Sequence, residues 1–296
     1  MILEETFVLA NGVKIPKLGL GVWLIPDDEV TGVVRDAVEM GYRHVDTAQA
    51  YANERGVGEA LRASGVARDQ LFVTSKLAAE CKSYAKAKEL IDGSLRTLGL
   101  DHIDLMLIHS PQPWAEFRGA ERYFEGNLEA WRALEEAYAA GKLRAIGVSN
   151  FERADLDNLL DNGGVKPMVN QVLAHVGATP FDLIDYSRSK GMLVEAYSPV
   201  AHGALLDDAG VGALAQKYGV SVAQLCIRYC LQLGLLPLPK TTKAAHMRAN
   251  AAVDFVISEA DIETLKGAPR ATDYGAANRF PVFGKTREIH DAAREG

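Results

Sequence analysis

Short apolar runs alternate along this chain with longer stretches in which apolar residues recur every three or four positions. Near the start, runs at 7–9 and 13–15 flank Asn11-Gly12 and predict a hairpin with that dipeptide as its two-residue turn. Strand-like runs then recur at 18–21, 44–46, 71–75, 103–108, 145–148, 168–170, 193–196 and 235–239. Helical patterns fall between and after them, at 28–40, 54–63, 84–98 and 127–140, from 153, from 181, at 211–218 and 222–233, and at 244–251. Eight strand-then-helix units without a shift in composition predict an α/β chain of the (β/α)8 TIM barrel type, as one domain over 1–296. An open doubly wound sheet would instead open on G-x-G-x-x-G. Gly19-Leu20-Gly21 supplies two of those glycines, and position 24 is Leu24. From Ala268 the periodicity lapses in a segment carrying Tyr274, Arg279, Phe280 and Phe283. That segment reads as a loop over the barrel mouth, with a frayed terminus as the alternative.

Composition narrows the classes. Apolar residues make up 48% of the chain, enough for a sizeable core. The net charge of −7 argues against nucleic acid or an anionic membrane as a partner, although a local basic site for an anionic cofactor stays open. The first residues, MILEETFVLANG, carry acids and lack the apolar stretch of a signal peptide, and no run has the length of a membrane span. Cys81, Cys226 and Cys230 are few and odd in number. The last two lie one helical turn apart, which suits a shared core face better than a zinc site. A reduced cytoplasmic protein without a bound metal is the expectation.

The chemistry concentrates where strand-like runs end. Asp46 closes the run at 44–46, Lys76 follows 71–75, His109 follows 103–108, and Tyr51 lies five positions past Asp46. If these runs are consecutive barrel strands, the four side chains converge on the C-terminal rim, where barrel active sites lie. Alone, Tyr51 reads as a packing residue, Asp46 as a turn residue and His109 as a satisfied structural histidine. Lys76 is harder to set aside, because a lysine ending an apolar strand is expensive to bury unless paired, and Asp46 is the natural partner. Together the four suit carbonyl reduction. The nascent alkoxide needs a proton, and a lysine cation beside the phenol is expected to pull the tyrosine pKa below its usual value of about 10. His109 is expected to orient the carbonyl oxygen or to share the proton.

Several segments carry a family resemblance: GYRHVDTAQAYANERGVGEAL at 41–61, GLDHIDLMLIHSP at 99–111, GKLRAIGVSNF at 141–151, Asn170-Gln171, AYSP at 196–199 and LPKT at 238–241. In sequence and order they resemble the aldo-keto reductases across nearly the whole chain. The resemblance implies that the hairpin plugs the barrel bottom and that Asp46, Tyr51, Lys76 and His109 form the catalytic group. It also implies that Ser149, Asn150 and Gln171 hydrogen-bond a nicotinamide carboxamide, that Tyr197 stacks on the ring, and that Ser198, Pro199 and Gly203 wrap the pyrophosphate. Lys240, Thr241 and Thr242 would grip an adenosine 2′-phosphate, with His246 and Asn250 nearby. Relatives commonly have arginine and glutamate where this chain has His246 and Ala249. Loss of a bidentate cation weakens discrimination for that phosphate, so NADP(H) is expected with NAD(H) use open. Other departures are Ser110 after the histidine, Val172-Leu173-Ala174 after Gln171, and Val200-Ala201-His202 after AYSP. Trp23 and Trp114 are expected to line the substrate pocket.

The reading that follows is a monomeric or weakly associating oxidoreductase that reduces a small aldehyde or ketone with NADPH. One alternative is a cofactor-binding regulatory subunit of a partner protein. Another is a metal-assisted barrel hydrolase, disfavoured because no cluster of histidines and acids offers three convergent ligands.

Overall fold

The computed structural model describes residues 1–284. Its main sheet has eight parallel strands: β3 (Leu20–Gly21), β4 (His44–Asp46), β5 (Phe72–Leu77), β6 (Ile103–Ile108), β7 (Leu143–Ser149), β8 (Val169–Leu173), β9 (Leu193–Tyr197) and β10 (Leu236–Leu238). Strands adjacent in sequence are adjacent in the sheet. The ends meet: Gly21 bridges Lys240 in parallel, and the amides of Gly19 and Gly21 donate to the carbonyls of Pro237 and Pro239. A Cβ at Gly19 would lie 2.6 Å from a Leu238 methyl and 2.7 Å from the His44 ring, so this seam requires glycine. The closed barrel matches the expectation from the repeating pattern.

Helices cover the outside. They are α1 (Asp27–Glu39), α2 (Glu54–Ala63), α3 (Tyr84–Leu98), α4 (Phe124–Ala139), α5 (Arg153–Asn162), α6 (Phe181–Ser189), α7 (Ala209–Lys217), α8 (Val222–Gln232), α9 (Ala244–Ala251) and α10 (Glu259–Lys266). In α1 the buried positions Val30, Val33, Val34, Ala37 and Val38 form one apolar stripe that belongs to the main core. Strands β5 and β6 are buried at every position, because the barrel interior lies on one face and helices on the other. The expected helices recur with ends shifted by a few residues. The exception is α10, which had no predicted counterpart; its start is marked by Ser258, whose hydroxyl caps the Asp261 amide.

The hairpin pairs β1 (Thr6–Val8) with β2 (Lys14–Pro16) antiparallel. Its connection corrects the predicted two-residue turn. The Leu9 amide donates to the Val13 carbonyl at 2.9 Å, leaving 10–12 as a three-residue loop closed by Gly12 at φ +85. Asn11 donates to the Arg144 carbonyl at 2.9 Å, near the start of β7, so the hairpin sits at the N-terminal end of the barrel, away from the strand ends that carry the polar groups.

At the opposite end, residues 268–284 fold over the mouth. Tyr274 and Phe283 are buried, and Phe280 packs edge-on to Trp23 with ring centroids 4.6 Å apart. The tail expected over the mouth thus lies there as far as Gly284, and the rest of it lies outside the described residues. No helix among the described residues is long and apolar enough to cross a membrane.

Candidate active site

Strands β4, β5 and β6 deliver Asp46, Lys76 and His109 to the same rim, as their order in the chain implies. Tyr51 arrives on a single 3-10 turn, Gln49–Tyr51, that ends at Ala52 in a left-handed conformation. Lys76 is wholly buried, with Nζ donating to Asp46 Oδ1 at 2.5 Å, to the Thr47 carbonyl at 2.9 Å and to the Tyr51 hydroxyl at 3.2 Å. All three ammonium donors are therefore directed. The Tyr51 and His109 rings stand edge to face with centroids 5.6 Å apart. His109 Nδ1 is buried with no hydrogen-bond partner among the described residues.

The electrostatics follow from burial and from that single ion pair. Burial works to lower the Lys76 pKa, but Asp46 and Tyr51 outweigh it and the net shift is upward, so Lys76 is a cation. His109 is held well below the usual histidine value, first by burial and then by Lys76, so its ring is neutral. Tyr51 corrects an expectation. Burial pushes the phenol up, Lys76 pulls it down and Asp46 pushes it up again; the net shift is upward, not downward. The lysine is placed beside the phenol as foreseen, but burial of the phenol, with Asp46 adding to it, outweighs the pull of the lysine. Without a ligand the phenol keeps its proton at neutral pH.

Two tryptophans stand around this group. The Trp23 ring lies 6.5 Å from Tyr51, and that of Trp114 lies 5.0 Å from His109. Past the next strands, Ser149 and Asn150 form a connected row with Tyr197. The Ser149 hydroxyl donates to the Gln171 carbonyl, Asn150 Nδ2 to the His109 carbonyl at 3.1 Å, and the Tyr197 hydroxyl to Asn150 Oδ1 at 2.7 Å. Gln171 turns its amide nitrogen inward, to Asp46 Oδ2 at 2.8 Å and Glu195 Oε2 at 2.7 Å. Ser198 faces His202, with Oγ to Nε2 at 3.1 Å, while Pro199 is buried and Gly203 takes φ +94.

The expected phosphate region forms a separate patch at the barrel seam. Lys240 and Thr242 are exposed, and the buried Thr241 hydroxyl accepts the Lys243 amide at 3.1 Å, just before α9. His246 is exposed on the first turn of α9, with Nδ1 3.5 Å from the Thr241 hydroxyl, and Asn250 lies buried one turn further on.

Three contributors went unrecognised in the sequence. Glu195, on β9, is one. Asn53 is another: it accepts from the Thr47 hydroxyl and donates to the Val22 and Ile25 carbonyls, tying the Trp23 loop to the segment that carries Tyr51. Gln112 is the third, bonding the Gly119 and Glu121 carbonyls and the Arg118 amide and so folding the loop that holds Trp114. The only available signal was a polar residue inside an apolar run or loop, which does not distinguish a site from a cap.

Comparison with known proteins agrees with this architecture. Residues 17–269 match the model of the aldo/keto reductase family. Glyoxal reductase of Bacillus subtilis (strain 168) is 42% identical over 265 residues, which cover 89% of this chain and 92% of that protein. The crystal structure of an aldo/keto reductase from Brucella melitensis superposes with a TM-score of 0.82 at 36% identity, covering 88% of this chain and 98% of that one. A Bombyx mori aldo-keto reductase, solved in complex with NADP, gives 0.83 at 31% identity, over 94% and 98% of the two chains. With its barrel closed and its polar groups gathered on one rim, the chain belongs to the aldo/keto reductase family.

Proposed function

We propose that the protein reduces an aldehyde or ketone to the alcohol with a nicotinamide cofactor, preferentially NADPH, with Tyr51 as the general acid. The observation that carries this reading is the contact of a protonated phenol with a buried, fully directed lysine, 3.2 Å from Nζ to the hydroxyl. The residues present fit the cofactor. Ser149, Asn150 and Tyr197 form one polar row beside the tetrad, which suits a carboxamide and a flat ring. At the seam, the Lys240 cation, the hydroxyls of Thr241 and Thr242 and the start of α9 suit a phosphate. The Bombyx mori relative was crystallised with NADP, which favours the same assignment. When bound, the nicotinamide supplies the hydride.

The protein's own groups then have distinct tasks. Neutral His109 orients the carbonyl oxygen by a hydrogen bond and holds no spare proton to give, which favours orientation over proton sharing. Tyr51 gives its proton to the forming alkoxide, and Lys76 stabilises the phenolate left behind. Asp46 keeps Lys76 charged and aimed. Trp23, Trp114 and the tail aromatics exclude water from the reacting carbonyl. A regulatory subunit would have no need of such a proton-transfer group.

The test is loss of absorbance from NADPH mixed with a panel of carbonyl compounds, including glyoxal because of the glyoxal reductase relative. Tyr51→Phe keeps the ring and removes the proton, so turnover drops at least about a hundredfold while cofactor affinity holds. Near-normal turnover in that variant would sink the acid assignment.

A further inference from the structure

Beneath the tetrad lies a second acid. Glu195 is fully buried inside the barrel, in register with Gln171 on β8 and Leu236 on β10. One amide nitrogen, Gln171 Nε2, donates to both Glu195 Oε2 at 2.7 Å and Asp46 Oδ2 at 2.8 Å. The other oxygen of Asp46 holds Lys76, whose ammonium meets the Tyr51 hydroxyl. A continuous chain of contacts therefore runs from Glu195 to Tyr51.

We propose that Glu195 is a positioning residue: by sharing the Gln171 amide with Asp46, it fixes the carboxylate that aims Lys76 at Tyr51. The proposal rests on the carbonyl-reductase reading of the site. Asp46 on β4 and Lys76 on β5 are the charged groups facing Glu195, while its neighbours in register, Gln171 and Leu236, are uncharged. Glu195 Oε1 is buried with no partner among the described residues, a situation that a neutral acid tolerates far better than an anion. Burial and then Asp46 push its pKa up to about 8, against the Gln171 hydrogen bond and Lys76. Below that pH the chain carries one anion, on Asp46. Above it, a second anion faces Asp46 across the Gln171 amide, and repulsion between the two carboxylates moves Asp46 from its fixed orientation.

Two variants and two readouts test this. Glu195→Gln stays neutral and can still accept from Gln171, so its kcat matches wild type at pH 7 and lacks the decline that wild type shows above about pH 8. Glu195→Leu removes the acceptor and lowers kcat about tenfold with substrate KM unchanged, the upper end of the scale for one hydrogen bond between neutral groups. A merely structural role would shift the melting temperature and leave the pH profile alone. Independently, pH-difference infrared spectra of the cofactor-free protein contain a protonated carboxyl signal that titrates near pH 8 and is missing from Glu195→Gln. Persistence of that signal in Glu195→Gln, an unchanged alkaline limb, or wild-type kcat in a folded Glu195→Leu overturns the proposal. If wild type is inert toward every carbonyl, the reading of the site falls, while the infrared titration still decides whether Glu195 is the neutral acid beside Asp46.

Discussion

Replacing Lys76 with methionine removes a charge while keeping an apolar stem of similar length. Two effects follow, and the structure separates them. The first is on stability. Asp46 is left as an anion in a dry interior, its side chain 5% exposed, with Gln171 as its remaining side-chain hydrogen-bond donor among the described residues. Breaking a buried pair in this way costs about 3–5 kcal/mol. The second is on the proton donor. At 3.2 Å and an effective dielectric of about 20, the attraction between the ammonium and a phenolate is about 5 kcal/mol. That is an upper bound, because Asp46 opposes it from 2.5 Å beyond the ammonium. A charge-assisted hydrogen bond to Tyr51 leaves about 1.5–3 kcal/mol, or about ten- to a hundredfold in rate. The double variant Lys76→Met with Asp46→Asn removes the stranded anion, so urea unfolding regains most of the lost stability. NADPH consumption with the best carbonyl substrate stays down by that factor in both variants. If activity returned along with stability in the double variant, Lys76 would be only half of a buried ion pair, and its role toward Tyr51 would be refuted.

Two further outcomes are expected. His246→Arg restores a fixed cation next to Lys240 and Thr241, tightening NADPH roughly tenfold and leaving NADH unchanged; equal tightening of both, measured by fluorescence titration, would place His246 away from the 2′-phosphate. His44, buried and bonded to Thr74, has its pKa held down to about 3 by burial and then Lys76, against 6.5 in the unfolded chain. Between those values the unfolded state binds the proton and the native state does not, so stability falls as pH drops below about 6.5, by up to about 1.4 kcal/mol per pH unit. His44→Gln should flatten that acid loss in urea titrations at pH 7 and pH 4.5, and an unchanged slope would contradict the assignment.

The residues that carry the barrel and its tetrad were readable because each depends on local position. An apolar run of strand length followed by Asp46, Lys76 or His109 sets both the strand and the rim on which its last side chain stands, since parallel strands in sequence order all end on one side. The hairpin turn and α10 slipped because their signals, one extra loop residue and a capping serine, are short and common. What tertiary structure alone decided was the balance of charge. Glu195 reads in LVEAY as one polar residue in a strand, yet its meaning comes from Gln171 and, through it, from Asp46, which lies 125 positions from that glutamine. The proximity of Lys76 to Tyr51 was legible, but the sign of the Tyr51 shift was not. Burial and the countercharge of Asp46 are properties of the closed interior, where a charge feels groups brought together by folding rather than its neighbours along the chain.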